Sequence, residues 1–258
     1  MEFKKLSPYL LPLIPIFLFF VLWEVLTTVE ILNVALLSKP SLIFGKIIDM
    51  APFLWENIQA TLFRLIVSFI FALVIGTSIG LIMGYNKRIY NFFDPLITTV
   101  MQIPGIAMAP VFIVWFGFGD PTIITIGIIV AFFPIVYNSS MGAKSVQSQH
   151  IKAAKIMGGK KKDIILHVFL PHSASYIIIG SKLGLARCWR TIIAVEFIAA
   201  TSYGLGYMIW DAYEYLNVTV VYAGIILLAV IFFLIEKTII REIERRTIER
   251  WGVVNTHE

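Results

Sequence analysis

The stretch AAKIMGGKKKDIILHVFLP, Ala153 to Pro171, sets a double glycine, three successive lysines and a closing Leu-Pro inside a chain that is otherwise strongly apolar. Its own pattern is a broken helix. Gln147 to Met157 reads as a short helix with Ile151, Ala154 and Met157 towards one side. Gly158-Gly159 ends it, because glycine accepts the positive φ that turns a chain at a helix C-terminus. From Lys160 to Phe169 the helical pattern resumes, with Ile164, Ile165, Val168 and Phe169 on an apolar face and the lysine end in water. Pro171 is expected to stop this second piece and restart the chain. The expected object is a compact helix–turn–helix whose small Ala153 and Ala154 admit a close neighbour. Two roles fit it: a basic loop lying on lipid headgroups, or a docking element for another protein.

The flanks decide the fold class. The chain is 59% hydrophobic and 14% charged, against roughly 45–50% and 25% in soluble domains. That much apolar surface belongs in lipid. Runs without Asp, Glu, Lys or Arg extend from Leu6 to Trp23, Leu65 to Asn86, Pro95 to Gly119, Pro121 to Ala143 and Tyr215 to Ile235. Each approaches or exceeds the roughly 20 residues a spanning helix needs. Ser173 to Ile198 is a sixth apolar stretch, carrying Lys182, Arg187, Arg190 and Glu196. The expectation is an all-α polytopic membrane protein of about six transmembrane helices, with residues 1–258 as one transmembrane domain. Ser7-Pro8 and Asp120-Pro121 read as helix starts. The first span lacks the small-residue cleavage site of a signal peptide. A single cysteine, Cys188, excludes an internal disulfide.

Lys and Arg distribute unevenly between the connecting segments. With the N-terminus inside, the inner segments hold Lys4 and Lys5, Lys87 and Arg88, Lys144 with the lysines from Lys152 to Lys162, and the group from Lys237 to Arg250. The outer segments hold Lys39 and Lys46. The bias predicts an inner-membrane protein with both termini cytoplasmic and the Ala153–Pro171 stretch on the cytoplasmic face.

The spacing within that stretch resembles the cytoplasmic loop of permeases in binding-protein-dependent ABC importers: E-A-A, three residues, G, nine residues, I, one residue, L-P. Here the matching positions are Lys152, Ala153, Ala154, Gly158, Val168, Leu170 and Pro171. Lys152 stands where the family has Glu, and Val168 where it has Ile. The chain further resembles the branch that moves sulfonates, taurine, nitrate, bicarbonate or thiamine precursors. Pro40-Ser41, Arg64 in ATLFRLIVSF, QIPGIAMAPVFIVWFG from Gln102, WRTIIAVE from Trp189 and GLGYMIWDAYEY from Gly204 carry this likeness. The resemblance implies a type I importer permease fold with a coupling loop at 144–172. It also implies a second permease copy, usually identical, two cytoplasmic ABC ATPases that bind the ATP and Mg, and an extracytoplasmic solute-binding protein. No cofactor is expected on this chain, which has no G-x-x-x-x-G-K-[ST] phosphate loop. Nucleic acid is not an expected partner.

Ionisable residues at membrane depth point to function. Lys182, Arg187 and Arg190 fall on one broad side of the fifth expected span. They either line an anion pathway or pair structurally with carbonyls and neighbouring helices. Arg64 and Glu196 are expected to pair near the outer edge. Pro104 and Pro110 remove helix hydrogen bonds in the third span and either line the pathway or only shape the bundle. His167 and His172 lack the acidic partners of a metal site, and no metal site is expected. A secondary transporter would leave the loop spacing without a purpose. An intramembrane enzyme would need a catalytic constellation, and no H-E-x-x-H, Ser-His pair or Asp pair stands out.

Overall fold

The computed structural model describes residues 13–29, 31 and 36–240, and every regular element within them is helical. Lys4, Lys5 and the arginines from Arg241 onward lie outside the described residues, as does the start of the first expected span. In chain order the elements are α1 (Leu13–Thr28), α2 (Pro40–Asp49), α3 (Ala51–Tyr85), α4 (Lys87–Val100), a 3-10 turn (Gly105–Met108), α5 (Ala109–Phe116), α6 (Asp120–Lys144), α7 (Ser148–Ile156), α8 (Lys161–Ile164), a π turn (Ile165–Phe169), α9 (Leu170–Ala199), α10 (Leu205–Glu214), α11 (Val218–Ile235) and a π turn (Glu236–Ile240). Among the described residues, α3, α6, the run Lys161–Ala199 and the run Val218–Thr238 are each long and apolar enough to cross a membrane. Helix α4 joins the 3-10 turn and α5 in a fifth candidate, bent by 92°. Helix α1 is a shorter apolar helix that packs beside α11, with the Trp23 and Tyr222 rings 5.5 Å apart.

The core is the contact of α3, α6 and α9, and small residues make it close. Along α3 the buried face steps every three or four residues through Asn57, Thr61, Arg64, Ser68, Ala72, Gly76 and Gly80. The upper part of this stripe is polar and the lower part small. A Cβ on Gly80 would stand 2.6 Å from the Val136 carbonyl oxygen, and one on Gly184 of α9 would stand 2.9 Å from that of Ala131. Without those side chains the backbones approach directly, the arrangement that favours helix association in lipid.

The polar part of the stripe closes one end of the bundle. Glu196 is fully buried. It accepts hydrogen bonds from Arg64 Nη1 at 2.6 Å, from Thr61 Oγ1 at 2.9 Å and from the Gly206 N–H at 2.8 Å. Arg64 Nε reaches Asp120 at 2.8 Å, so the expected Arg64–Glu196 pair is present inside a larger network. Thr61 Oγ1 in turn accepts the Leu205 N–H at 2.8 Å, and Asn57 Oδ1 accepts the Gly204 N–H at 2.9 Å. The buried N–H groups at the start of α10, which have no partner within their own helix, are thus satisfied by α3 and α9, which secures the GLGY turn across the helix ends.

The third expected span is not one helix. Helix α4 ends at Val100, the chain breaks over Met101 to Pro104, and helix resumes after the 3-10 turn. Pro104 has no N–H to donate, and the residue before a proline avoids the helical region. Gly105 fits against Thr191 and Val130 with no space for a side chain. Pro110, expected as a second kink, stands in the first turn of α5, where the missing N–H costs nothing. Despite the bend, the segment traverses the bundle. Tyr90 in α4 lies under the Lys144 ammonium, 3.6 Å from the ring centre, at the end where α6 finishes. After α5, Gly117 accepts from Thr122 Oγ1 at 2.6 Å, and the Gly119 N–H bonds the Ala199 carbonyl at 2.7 Å, at the end where α6 begins.

A second correction concerns Pro171. It does not end a helix: α8, the π turn and α9 run on from Lys161 to Ala199. The π turn precedes Pro171 and supplies the local change of register that accommodates a residue unable to donate to the preceding turn.

Candidate functional site

The first candidate is the segment between α6 and α9. Gly158 has φ +83°, the left-handed conformation expected of it, and the Gly159 N–H returns to the Ala154 carbonyl at 2.9 Å. This closes α7 with a tight turn. Ile151, Ala154, Val168 and Leu170 belong to one apolar cluster with buried Leu81, Ala143, Val146, Ile164 and Phe169, and α7 lies against α8 and the π turn. Met157, expected on the packed side with Ile151, instead points out: Ile156 and Met157 are both 86% exposed. Lys152, Ala153 and Gly158 are exposed. Ala153, Ala154, Val168 and Pro171 line one groove together with His150, His167 and His172. Four of the seven positions that carry the spacing therefore line one groove, while Lys152 and Gly158 are exposed outside its lining and Leu170 packs in the apolar cluster.

The second candidate lies at the break between α4 and α5. A cavity of about 270 Å³ is lined on one side by Met101, Gln102, Pro104, Gly105 and Met108, on another by Ile129, Val130 and Phe133 of α6, and on the third by Arg187, Arg190 and Thr191 of α9. The two arginines differ. Arg187 donates to the Met101 carbonyl at 3.0 Å, satisfying an acceptor at the broken helix end. Arg190 is exposed and, among the described residues, bonds only its own helix, through Nε to the Ala186 carbonyl at 3.0 Å. Of the five residues expected near a pathway, Pro104, Arg187 and Arg190 come together here. Lys182 sits more than a turn nearer the α9 start and is not among the lining residues, and neither is Pro110. Among the described residues no group of three or more His, Cys, Asp or Glu is arranged to hold a metal ion. Sequence reasoning missed Gln102 and Thr191 as lining residues. The interrupted QIPG stretch was the signal for the first; the second follows only from the packing of Gly105 against α9.

A bundle of apolar helices, one of them interrupted beside two arginines, defines an all-α polytopic membrane protein. The model of the family described as binding-protein-dependent transport system inner membrane component matches residues 72–247, and the chain belongs to that family. It is 32% identical over 231 residues to the taurine transport system permease protein TauC of Escherichia coli K12, covering 87% of this chain and 83% of that one. It is 28% identical over 247 residues to the bicarbonate transport system permease protein CmpB of Synechococcus elongatus, covering 91% and 88%. The fold is that of a chain in the inward-facing MetNI methionine ABC transporter, with a TM-score of 0.65 at 22% identity, covering 76% of this chain and 98% of that one. The protein is a multi-pass permease subunit of an ABC importer in the inner membrane.

Proposed function

We propose that the chain forms half of the translocation pathway for a small anionic solute of the sulfonate, taurine, nitrate or bicarbonate class, and couples its passage to ATP hydrolysis on a separate cytoplasmic ATPase. Two copies of the permease pair around the pathway, two ATPases bind the 144–172 segments, and a solute-binding protein delivers the solute from outside. Both termini are cytoplasmic, which puts the Gly119 end of the bundle outside. One observation carries the anion reading: the exposed guanidinium of Arg190 faces a cavity at the break in a membrane-depth helix. A charge there is costly in lipid and lowers the barrier for an anion. The relatives named for taurine and bicarbonate support the same class.

Uptake by the reconstituted importer tests it. Arg190→Gln is expected to leave assembly and stimulated ATPase activity intact while lowering uptake about tenfold or more. Unchanged uptake would overturn the anion reading and point to a neutral solute.

A further inference from the structure

The cavity at the Met101–Pro104 break holds two guanidiniums and no carboxylate. Arg187 and Arg190 stand about one turn apart on α9 and both line it, and Asp and Glu are absent from its lining. Among the described residues neither arginine has a carboxylate within ion-pair distance. An identical second copy brings no free carboxylate to that depth. Glu196 is the one acidic residue in the apolar stretches of the chain, and Arg64 holds it. Two like charges at membrane depth without a counter-ion are costly. The counter-ion therefore has to be an anion that enters the cavity.

The lining also has two chemistries. Arg187 spends Nη1 on the Met101 carbonyl, whereas Arg190 spends only Nε, on the Ala186 carbonyl. Arg190 thus keeps both Nη groups, a planar fork that takes two oxygens of one anion. Gln102 and Thr191 add neutral polar groups to the same cavity. The α6 wall is apolar throughout, made of Ile129, Val130 and Phe133. At about 270 Å³ the cavity has room for roughly nine waters of about 30 Å³ each. A bare nitrate or bicarbonate fills a small part of that space and leaves the α6 wall against water. An anion with a short apolar tail covers the wall, which is favourable for each CH₂ it buries. A tail ending in an ammonium, as in taurine, brings a cation into a cavity that has two arginines and no carboxylate.

We infer that this cavity is a solute-binding site of the permease itself, built for an oxyanion with a short uncharged tail, of the alkanesulfonate type. The oxygens sit on the Arg190 fork and the tail lies on Ile129, Val130 and Phe133. The permease then selects among anions by their tails, separately from any selection by the solute-binding protein. The inference rests on the anion reading of Arg190 proposed above.

The test measures equilibrium binding by calorimetry to the assembled importer in phosphatidylcholine nanodiscs, with neither nucleotide nor solute-binding protein. The probes are propane-1-sulfonate, nitrate and taurine. Propane-1-sulfonate is expected to bind about tenfold or more tighter than the other two, and Arg190→Gln to abolish its binding. Ile129→Ser is expected to weaken propane-1-sulfonate several-fold while leaving nitrate unchanged, and Ile129→Val to restore it. If nitrate binds as tightly as propane-1-sulfonate and both depend on Arg190, the anion reading stands and the tail site is wrong. If taurine equals propane-1-sulfonate, the uncharged tail is wrong. If no probe binds, or binding survives Arg190→Gln, the permease has no such site and the inference is overturned; the anion reading is then decided separately, by the uptake of Arg190→Gln.

Discussion

Arg64 stands between two carboxylates, one fully buried and one half exposed, and its removal tests what the network does. Arg64→Leu strands Glu196 without its cation, and breaking a buried pair by removing one partner costs about 3–5 kcal/mol. We expect a lower thermal midpoint in detergent and loss of the fixed GLGY turn, read as new protease sensitivity near Gly204. Thr61→Val removes one donor to Glu196 and the acceptor of the Leu205 N–H. Its expected cost is about 1–3 kcal/mol, the penalty of leaving a buried polar group unsatisfied. Arg187 offers a contrast with Arg190. Because it holds the Met101 carbonyl, Arg187→Gln is expected to lower stability as well as uptake, whereas Arg190→Gln lowers uptake alone; thermal midpoints beside uptake rates separate them. The Arg64–Glu196 pair was legible because two ions at similar membrane depth need partners. Asn57 and Thr61 were equally visible as polar residues at helical spacing, yet the N–H groups that donate to them belong to a turn more than 140 residues away. No local pattern encodes such a partner.

Among the elements, the turn at Gly158 and the break at Pro104 make the sharpest predictions. Gly158 has a positive φ that proline cannot adopt, and its N–H bonds the Lys155 carbonyl at 3.0 Å, a bond proline cannot make. Gly158→Pro is therefore expected to disorder the turn while α3, α6 and α9 stay packed. Membrane abundance should be normal, and co-purification of the ATPase and solute uptake should be lost; wild-type ATPase affinity would refute the docking role. Gly105→Val forces a side chain against Thr191 and Val130, and overpacking of this kind costs about 1–3 kcal/mol. Its expected outcome is reduced stability and reduced uptake together. Both elements show where helix-breaking residues mislead. Glycine at a helix end behaved as expected because its backbone freedom is a local property. Pro171 did not, because the π turn before it lets one helix continue. Pro110 did not either, because a proline in a first helical turn breaks nothing.

At the scale of the whole molecule, the proposed orientation gives a labelling pattern. Cys188 is buried, so single cysteines elsewhere can be read against a silent background. An impermeant thiol reagent added from outside is expected to modify cysteines at Asp49, Phe118 and Tyr215, and to spare those at Lys87 and Lys161. Labelling at Lys161 from outside would reverse the orientation and remove the coupling segment from the ATPase side. The all-helical, membrane-spanning class, the approximate positions of the spans and the special loop at Ala153–Pro171 were determined by the sequence alone. Apolar run length, the distribution of lysine and arginine, and glycine placement act over a few turns and are read directly. Only the tertiary structure decided that the third span breaks at Met101–Pro104, that Arg187 is tied to that break while Arg190 faces the cavity, and that three histidines share one groove with the loop's alanines. Each of these depends on which backbones come close enough to touch. That is set by the packing of glycines such as Gly80, Gly105 and Gly184 against distant helices, and their spacing within their own helices does not name the partner.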